Sequence, residues 1–199
     1  MVEGEILSAI ESFDKKNISV ATIGSHSALN IFIGAKEEGL STVCVCQRGR
    51  EKIYEHYGLV DEFIMVDDLH DILRPEIQDR LKKLNSIVIP HGSFNAYIDQ
   101  DQMTEEFKVP VFGNRTLMQY EVSREKQHKW LREAGLKVPY IYNSIEDITG
   151  LAFVKFPGAK GGKGYFVVDS PDAFEEKIQY MVDRGLLTPE EACHPYVQE

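Results

Sequence analysis

Only three cysteines, Cys44, Cys46 and Cys193, occur in 199 residues. A small, odd thiol count excludes the disulfide framework of a secreted mini-domain. Cys-x-Cys alone lacks the paired spacing of a zinc site. Alternation along a strand puts Cys44 and Cys46 on one face, about 7 Å apart at ~3.4 Å per residue, where they serve as small apolar core residues. Long apolar runs are also missing, and none approaches the ~20 residues that cross a bilayer. The first residues, MVEGEILSAIESFDKKN, are acidic and have neither the apolar stretch nor the cleavage site of a signal peptide, so a cytoplasmic protein is expected. Basic residues are in deficit: 22 Lys and Arg stand against 32 Asp and Glu, a formal net charge of −10. Such a chain has no diffuse attraction for nucleic acid or anionic lipid, and any phosphate site must be local. Two common nucleotide signatures are absent. The first turn, GSHSALN, is not G-x-G-x-x-G, and no GKS or GKT closes a Walker loop.

Hydrophobic residues make up 43% of the chain, enough for a packed core. Through residue 115, apolar runs alternate with helical patterns. Ile18–Ile23, Thr42–Cys46, Phe63–Val66, Ser86–Ile89 and Val109–Phe112 read as five strands. A helix is expected to end at Gly39, and another to open at Pro75. Continuous apolar strands separated by helices predict a parallel sheet covered on both faces. The turns after the strands, GSHS, PHGS and GNR, then share the carboxyl edge, where open α/β sheets bind ligands. His26 and Ser93 are candidates there because either can hydrogen-bond a phosphate or a carboxamide; Ser25, Asn114 and Arg115 are weaker ones. His91 reads as a structural turn residue, and His56, His70, His128 and His194 as surface residues.

From Leu117 to Ala134 the pattern predicts one helix, closed by Gly135 and Pro139. The character then changes to a hairpin, Leu151–Phe156 and Gly164–Val168, joined by PGAKGGK. Ser170 with Pro171, and Thr188 with Pro189, predict two capped helices. A last alternation begins at Tyr196.

The hairpin carries the densest chemistry. No acid occurs from Ile148 to Val168, while Lys155, Lys160 and Lys163 all fall inside that stretch. Glycines Gly158, Gly161 and Gly162 let the backbone approach a polyphosphate, and lysines act on it as point charges. Lys155 faces opposite to Val154 and Phe156, a costly place for an ammonium unless an anion meets it. A merely flexible basic hairpin is the bland alternative.

The strand lysine and glycine-rich loop of VKFPGAKGGKGYF resemble the ATP-grasp superfamily. So does Arg124 ahead of LREAGLKVP, although many members carry lysine at that position. Across about residues 5–199, ATIGSH, GLSTVCV, NSIVIPHGSF, VPVFGNR, LREAGLKVP and VKFPGAKGGKGYF are similar, in order and spacing, to the archaeal PurP family of formate-dependent FAICAR synthetases. This resemblance implies an α/β fold: a Rossmann-like pre-ATP-grasp domain over residues 1–122, then the small α+β ATP-grasp subdomain over 123–199. It implies an ATP-dependent ligase that formylates AICAR to FAICAR in purine biosynthesis, through formyl phosphate. His26 and Ser93 would contact AICAR; Arg124, Lys155, Gly158, Lys160, Gly161, Gly162, Lys163 and Glu199 would contact ATP. Family members continue for roughly 150 residues more. The ligands for Mg²⁺ (or Mn²⁺) are expected there, as is homo-oligomer assembly in the complete enzyme. The present chain is therefore expected to be an incomplete portion, inactive alone, with a partner chain as one source of the rest. Its last strand is expected to leave an unpaired edge. Two other readings stay open: a related ligase for another acid and amine, and a non-enzymatic nucleotide-binding module.

Overall fold

A computed structural model of the chain describes residues 2–156 and 165–199. They fall into two compact units, Met1–Ser123 and Arg124–Glu199.

The first unit runs α1 (Val2–Glu11), β1 (Ser19–Ile23), α2 (Ala28–Glu37), β2 (Ser41–Gln47), α3 (Glu51–Tyr57) and β3 (Glu62–Val66), followed by a 3-10 turn at Leu69–Leu73. It continues through α4 (Pro75–Lys83), β4 (Ser86–Val88), α5 (Gly92–Tyr97), α6 (Gln100–Glu105) and α7 (Leu117–Val122). The four strands form one parallel sheet in the order β3-β2-β1-β4. All five residues of β1 are buried, as the unbroken apolar run requires. Alternation sends Val43 and Val45 of β2 to one face, with Ala21, Ile23, Ile64, Leu81 and Phe94. Cys44 and Cys46 go to the other, against Phe32 of α2 and Tyr54 of α3. The two cysteines are thus core residues with free thiols. Burying a side chain such as Phe32 contributes about 1.5–3 kcal/mol.

Val109–Phe112 is not a strand but a single parallel bridge, Val88 to Val111. Val88 donates to Pro110 O and Phe112 donates to Val88 O, each at 2.8 Å. Pro110 has no N–H with which to extend the ladder. The helix expected over 117–134 is two helices, α7 and α8 (Arg124–Glu133). Ser123 between them is extended, with φ −105° and ψ 108°. The halves serve different cores, since Met118 packs into the first unit and His128 is buried in the second.

The second unit begins with α8 and continues through a 3-10 turn at Ile145–Asp147, β5 (Ala152–Lys155), β6 (Phe166–Val168), α9 (Pro171–Asp183), α10 (Pro189–Ala192) and β7 (Tyr196–Gln198). Its sheet is antiparallel, β6-β5-β7. Val154, Phe166, Val168 and Val197 pack on Phe174 and Met181 of α9. Ser170 caps α9 by accepting from Ala173 N–H, and Thr188 with Glu191 forms a reciprocal capping box on α10. The outer edge of β7 is not open, contrary to expectation. Residues 140–142 lie along it: Tyr142 donates to Val197 O at 3.0 Å, and Glu199 donates to Tyr140 O at 2.8 Å.

Candidate functional site

The strand order reverses between β1 and β4, because the chain builds outward to β3 and then returns to the other side of β1. In open α/β sheets, ligands bind at such a reversal, in the crevice outside the carboxyl ends of the two strands, here β1 and β4. The turns carrying His26 and Ser93 follow those two strands. Gly24 starts the first turn, and its N–H bonds Val45 O at 2.8 Å. A Cβ there would meet Cys44 Sγ at 3.0 Å and Tyr54 Cε2 at 3.1 Å. Ser25 then folds back on Ile23 O at 2.9 Å, leaving His26 exposed with its Nδ1 3.4 Å from Ser27 Oγ. Ser93, on α5, is buried.

His91 lies between them. Its Nδ1 accepts from Ser93 N–H and its Nε2 meets Ile23 O, both at 3.3 Å. The Phe94 ring stands edge-on 5.6 Å away. Burial pushes the His91 ring below the usual histidine value; the bond to Ile23 opposes this, and nearby His26 adds to it.

Asn114 and Arg115 are committed to local structure. Asn114 Oδ1 accepts from Thr116 N–H at 3.0 Å and from its hydroxyl at 2.8 Å. The Arg115 guanidinium turns inward to the carbonyls of Met103 (3.3 Å), Phe107 and Val109 (2.8 Å). Asn95, two residues after Ser93, has a buried amide oxygen with no hydrogen-bond partner. Nothing in the sequence pattern singled it out.

In the second unit, Val154 and Phe156 are buried while Lys155 projects from the other face of β5. Its ammonium lies 3.1 Å from Gln198 Oε1 and 5.2 Å from the centre of the Phe153 ring. Among the described residues no carboxylate pairs with it. Burial lowers its pKa below the ordinary lysine value, and the Arg124 charge lowers it further. Arg124 opens α8 and bonds Gln127 Oε1 at 3.2 Å. Tyr196 lies near the same charges: burial raises its hydroxyl pKa while Arg124 and Arg132 oppose the rise. Tyr196–Glu199 is expected from the sequence to begin a strand that meets adenine; the pairing of β7 with β5 brings Tyr196 and Gln198 beside Lys155. Gly158, Lys160, Gly161, Gly162 and Lys163 lie outside the described residues.

Glu199 is exposed at the end of β7. It lines an open cleft of about 1100 Å³ together with His128, Arg132, Tyr140 and Tyr196. His128 is buried rather than a surface residue, because its ring bridges α8 to Pro139 O at 3.1 Å and faces Arg132 Nη2 at 3.2 Å. His70 is half-buried, with Nε2 2.8 Å from Gln102 Oε1. Among the described residues no group of three His, Cys, Asp or Glu side chains is placed to hold a metal ion. Nor is any described helix long and apolar enough to cross a membrane.

Comparison with known proteins matches both units. A 5-formaminoimidazole-4-carboxamide-1-(beta)-D-ribofuranosyl 5'-monophosphate synthetase from Archaeoglobus fulgidus is 50% identical over 195 residues. The match takes in 98% of this chain and 54% of the relative. The chain thus spans about half the length of the curated relatives it matches. A crystal structure of an IMP biosynthesis protein PurP from Thermococcus kodakaraensis aligns with a TM-score of 0.56 and 31% identity, over 74% of this chain and 48% of that one. The biotin carboxylase domain of Hydrogenobacter thermophilus 2-oxoglutarate carboxylase aligns over 90% of this chain and 43% of its own, with a TM-score of 0.66 at 13% identity. That last likeness is one of fold alone. These likenesses agree with the fold described above, a Rossmann-like α/β unit on a parallel sheet followed by a small α+β unit. A family model described as "Protein of unknown function (DUF1246)" matches residues 20–142, more than half of the chain, and the chain belongs to that family.

Proposed function

We propose that this chain supplies the ribonucleotide-binding and phosphate-gripping portions of an ATP- and formate-dependent ligase that converts AICAR to FAICAR in purine (IMP) biosynthesis. The observation that carries the reading is the cationic group on the second unit. Lys155, partly desolvated, is held by a neutral amide with Arg124 nearby, on a chain of net charge −10. Such cations are costly to gather unless a polyanion meets them. The names of the relatives from A. fulgidus and T. kodakaraensis support the product and its place in IMP biosynthesis, and ATP and formate follow from the resemblance of the lysine-and-glycine hairpin.

In this reading a formate oxygen attacks the γ-phosphorus of ATP, and ADP leaves. The AICAR amine then attacks the carbonyl carbon of formyl phosphate. Phosphate leaves, the nitrogen loses a proton, and FAICAR remains. The protein's part is to position reactants, offset charge and exclude water. Lys155 and Arg124 would hold ATP phosphate oxygens, with the loop amides and Lys160 and Lys163 beside them. His26 and Ser93 would hold the ribonucleotide in the crevice between β1 and β4. Mg²⁺ would be held by the part of the relatives that this chain does not span, since no described group of three His, Cys, Asp or Glu side chains is placed for it. The enzyme would act in the cytoplasm on small-molecule substrates.

The test joins this chain to the remaining portion of the A. fulgidus relative and measures ADP release and incorporation of labelled formate. Release that needs both AICAR and formate, and that Lys155→Ala abolishes, is the expected result. Release that proceeds with neither, or with a different acid in place of formate, overturns the substrate assignment.

A further inference from the structure

The parallel ladder between β1 and β4 stops early. Paired residues run only from Ser19 with Ser86 to Ala21 with Val88. Beyond it Ile89 N–H still reaches Ala21 O at 2.8 Å. Pro90 follows and has no N–H. Side chains then take over the joint. The Thr22 hydroxyl donates to Ile89 O at 2.7 Å, and the His91 ring reaches Ile23 O where the ladder would next ask for the His91 backbone. The same ring accepts from Ser93 N–H and so caps the start of α5. Serving both partners requires a neutral imidazole with its proton on Nε2, donating to Ile23 O and leaving Nδ1 to accept.

We infer that His91 is a positioning residue that fixes the His26-bearing turn and the Ser93-bearing turn in one geometry for the ribonucleotide. Ile23 is the last residue of β1, one before Gly24, and Ser93 is the proposed ligand on α5. One ring, with its two nitrogens on Ile23 O and Ser93 N–H, therefore sets the spacing between the two halves of the crevice. This role deepens the AICAR reading of the crevice and rests on it. The tie between the turns can be measured without any ligand.

Three substitutions separate the two bonds. His91→Asn keeps an acceptor near Nδ1, so it retains the cap on Ser93 and loses Ile23. His91→Gln reaches toward Ile23 and loses the cap. His91→Phe keeps the ring volume and loses both. In the 199-residue chain, nitrogen-15 NMR should show the His91 ring as the Nε2–H tautomer, and hydrogen exchange should show Ser93 N–H protected. Protection should survive in the Asn variant and fall at least tenfold in the Gln and Phe variants. AICAR affinity, read by calorimetry on folded protein, should fall about tenfold in all three variants, because each loses at least one of the two bonds that join the turns. An Nδ1–H tautomer, or unchanged Ser93 exchange in the Gln variant, overturns the inference. So does unchanged AICAR affinity in all three variants. A wild-type chain that protects Ser93 as described but binds no AICAR overturns the ribonucleotide reading and leaves His91 as a joint between two turns only.

Discussion

The ammonium of Lys155 lies 3.1 Å from the amide oxygen of Gln198, across the β5–β7 pair. A neutral acceptor orients the lysine without cancelling its charge. A carboxylate there would form an ion pair and compete with any incoming phosphate. Gln198→Glu should therefore raise the Lys155 pKa above its wild-type value, because a nearby negative charge favours the ammonium. Gln198→Ala leaves the burial and the Arg124 charge in place, so the lysine stays lowered. NMR titration of the Lys155 side chain reads both. A lysine unmoved by Gln198→Glu would mean that the two side chains do not meet in solution.

Arg115 makes the opposite use of a cation. Its donors end on the carbonyls of Met103, Phe107 and Val109, which lie on α6 and the segment leading to the Val111 bridge. Arg115→Ala leaves half-buried carbonyls without partners and should destabilise the first unit by about 2–4 kcal/mol. Arg115→Lys keeps the charge but not the fork, and should recover less than half of that. Urea unfolding followed at a first-unit probe measures both. If Arg115 instead served chiefly to bind ligand, Ala would leave the midpoint unchanged and lower affinity alone.

The contrast between these two cations shows what the residue pattern discloses. Lys155 was legible because a strand's alternation fixes which face a side chain takes, and Val154 and Phe156 occupy the core face. Likewise four apolar runs became the four parallel strands, since a continuous run has no polar face to expose. Arg115 was not legible, because its direction depends on carbonyls brought near by α6. The break at Ser123 escaped for a related reason: local helical pattern cannot say which of two cores each half will join. The roles of His91, His128 and Gln198 all require partners from elements distant in the chain.

The lowered His91 value has a pH consequence with a definite sign. Around the ring are His26 from the β1–α2 turn, the Ile23 carbonyl and the Phe94 ring. Above the usual histidine value of about 6.5, the ring is neutral in both folded and unfolded chains. Below it the unfolded chain takes up a proton that the folded ring resists. Stability should therefore fall as pH drops from about 6.5, and stop falling on this account once the folded ring also protonates. His91→Asn cannot titrate and should flatten the slope across pH 5–6.5 in urea midpoints. An equal slope in wild type and variant would assign the dependence to other groups.

Gly24 offers a steric prediction that needs no ligand. Its backbone is not in the left-handed region, so the constraint is space alone. An alanine Cβ would sit 3.0 Å from Cys44 Sγ, 3.1 Å from Tyr54 Cε2 and 3.3 Å from Cys46 Sγ, all in the packed layer beneath the turn. Those side chains are buried and have little room to withdraw, so Gly24→Ala should cost about 1–3 kcal/mol by overpacking. Cys44→Ala removes the nearest obstructing atom and leaves a small void of its own. In the double variant the added methyl partly fills that void. The double variant should accordingly be less destabilised than the sum of the two single changes, by about 0.5 kcal/mol or more. Strict additivity would show that the methyl is accommodated by movement of the Ser25–His26 turn, and AICAR affinity should then fall in Gly24→Ala whether or not Cys44 is present.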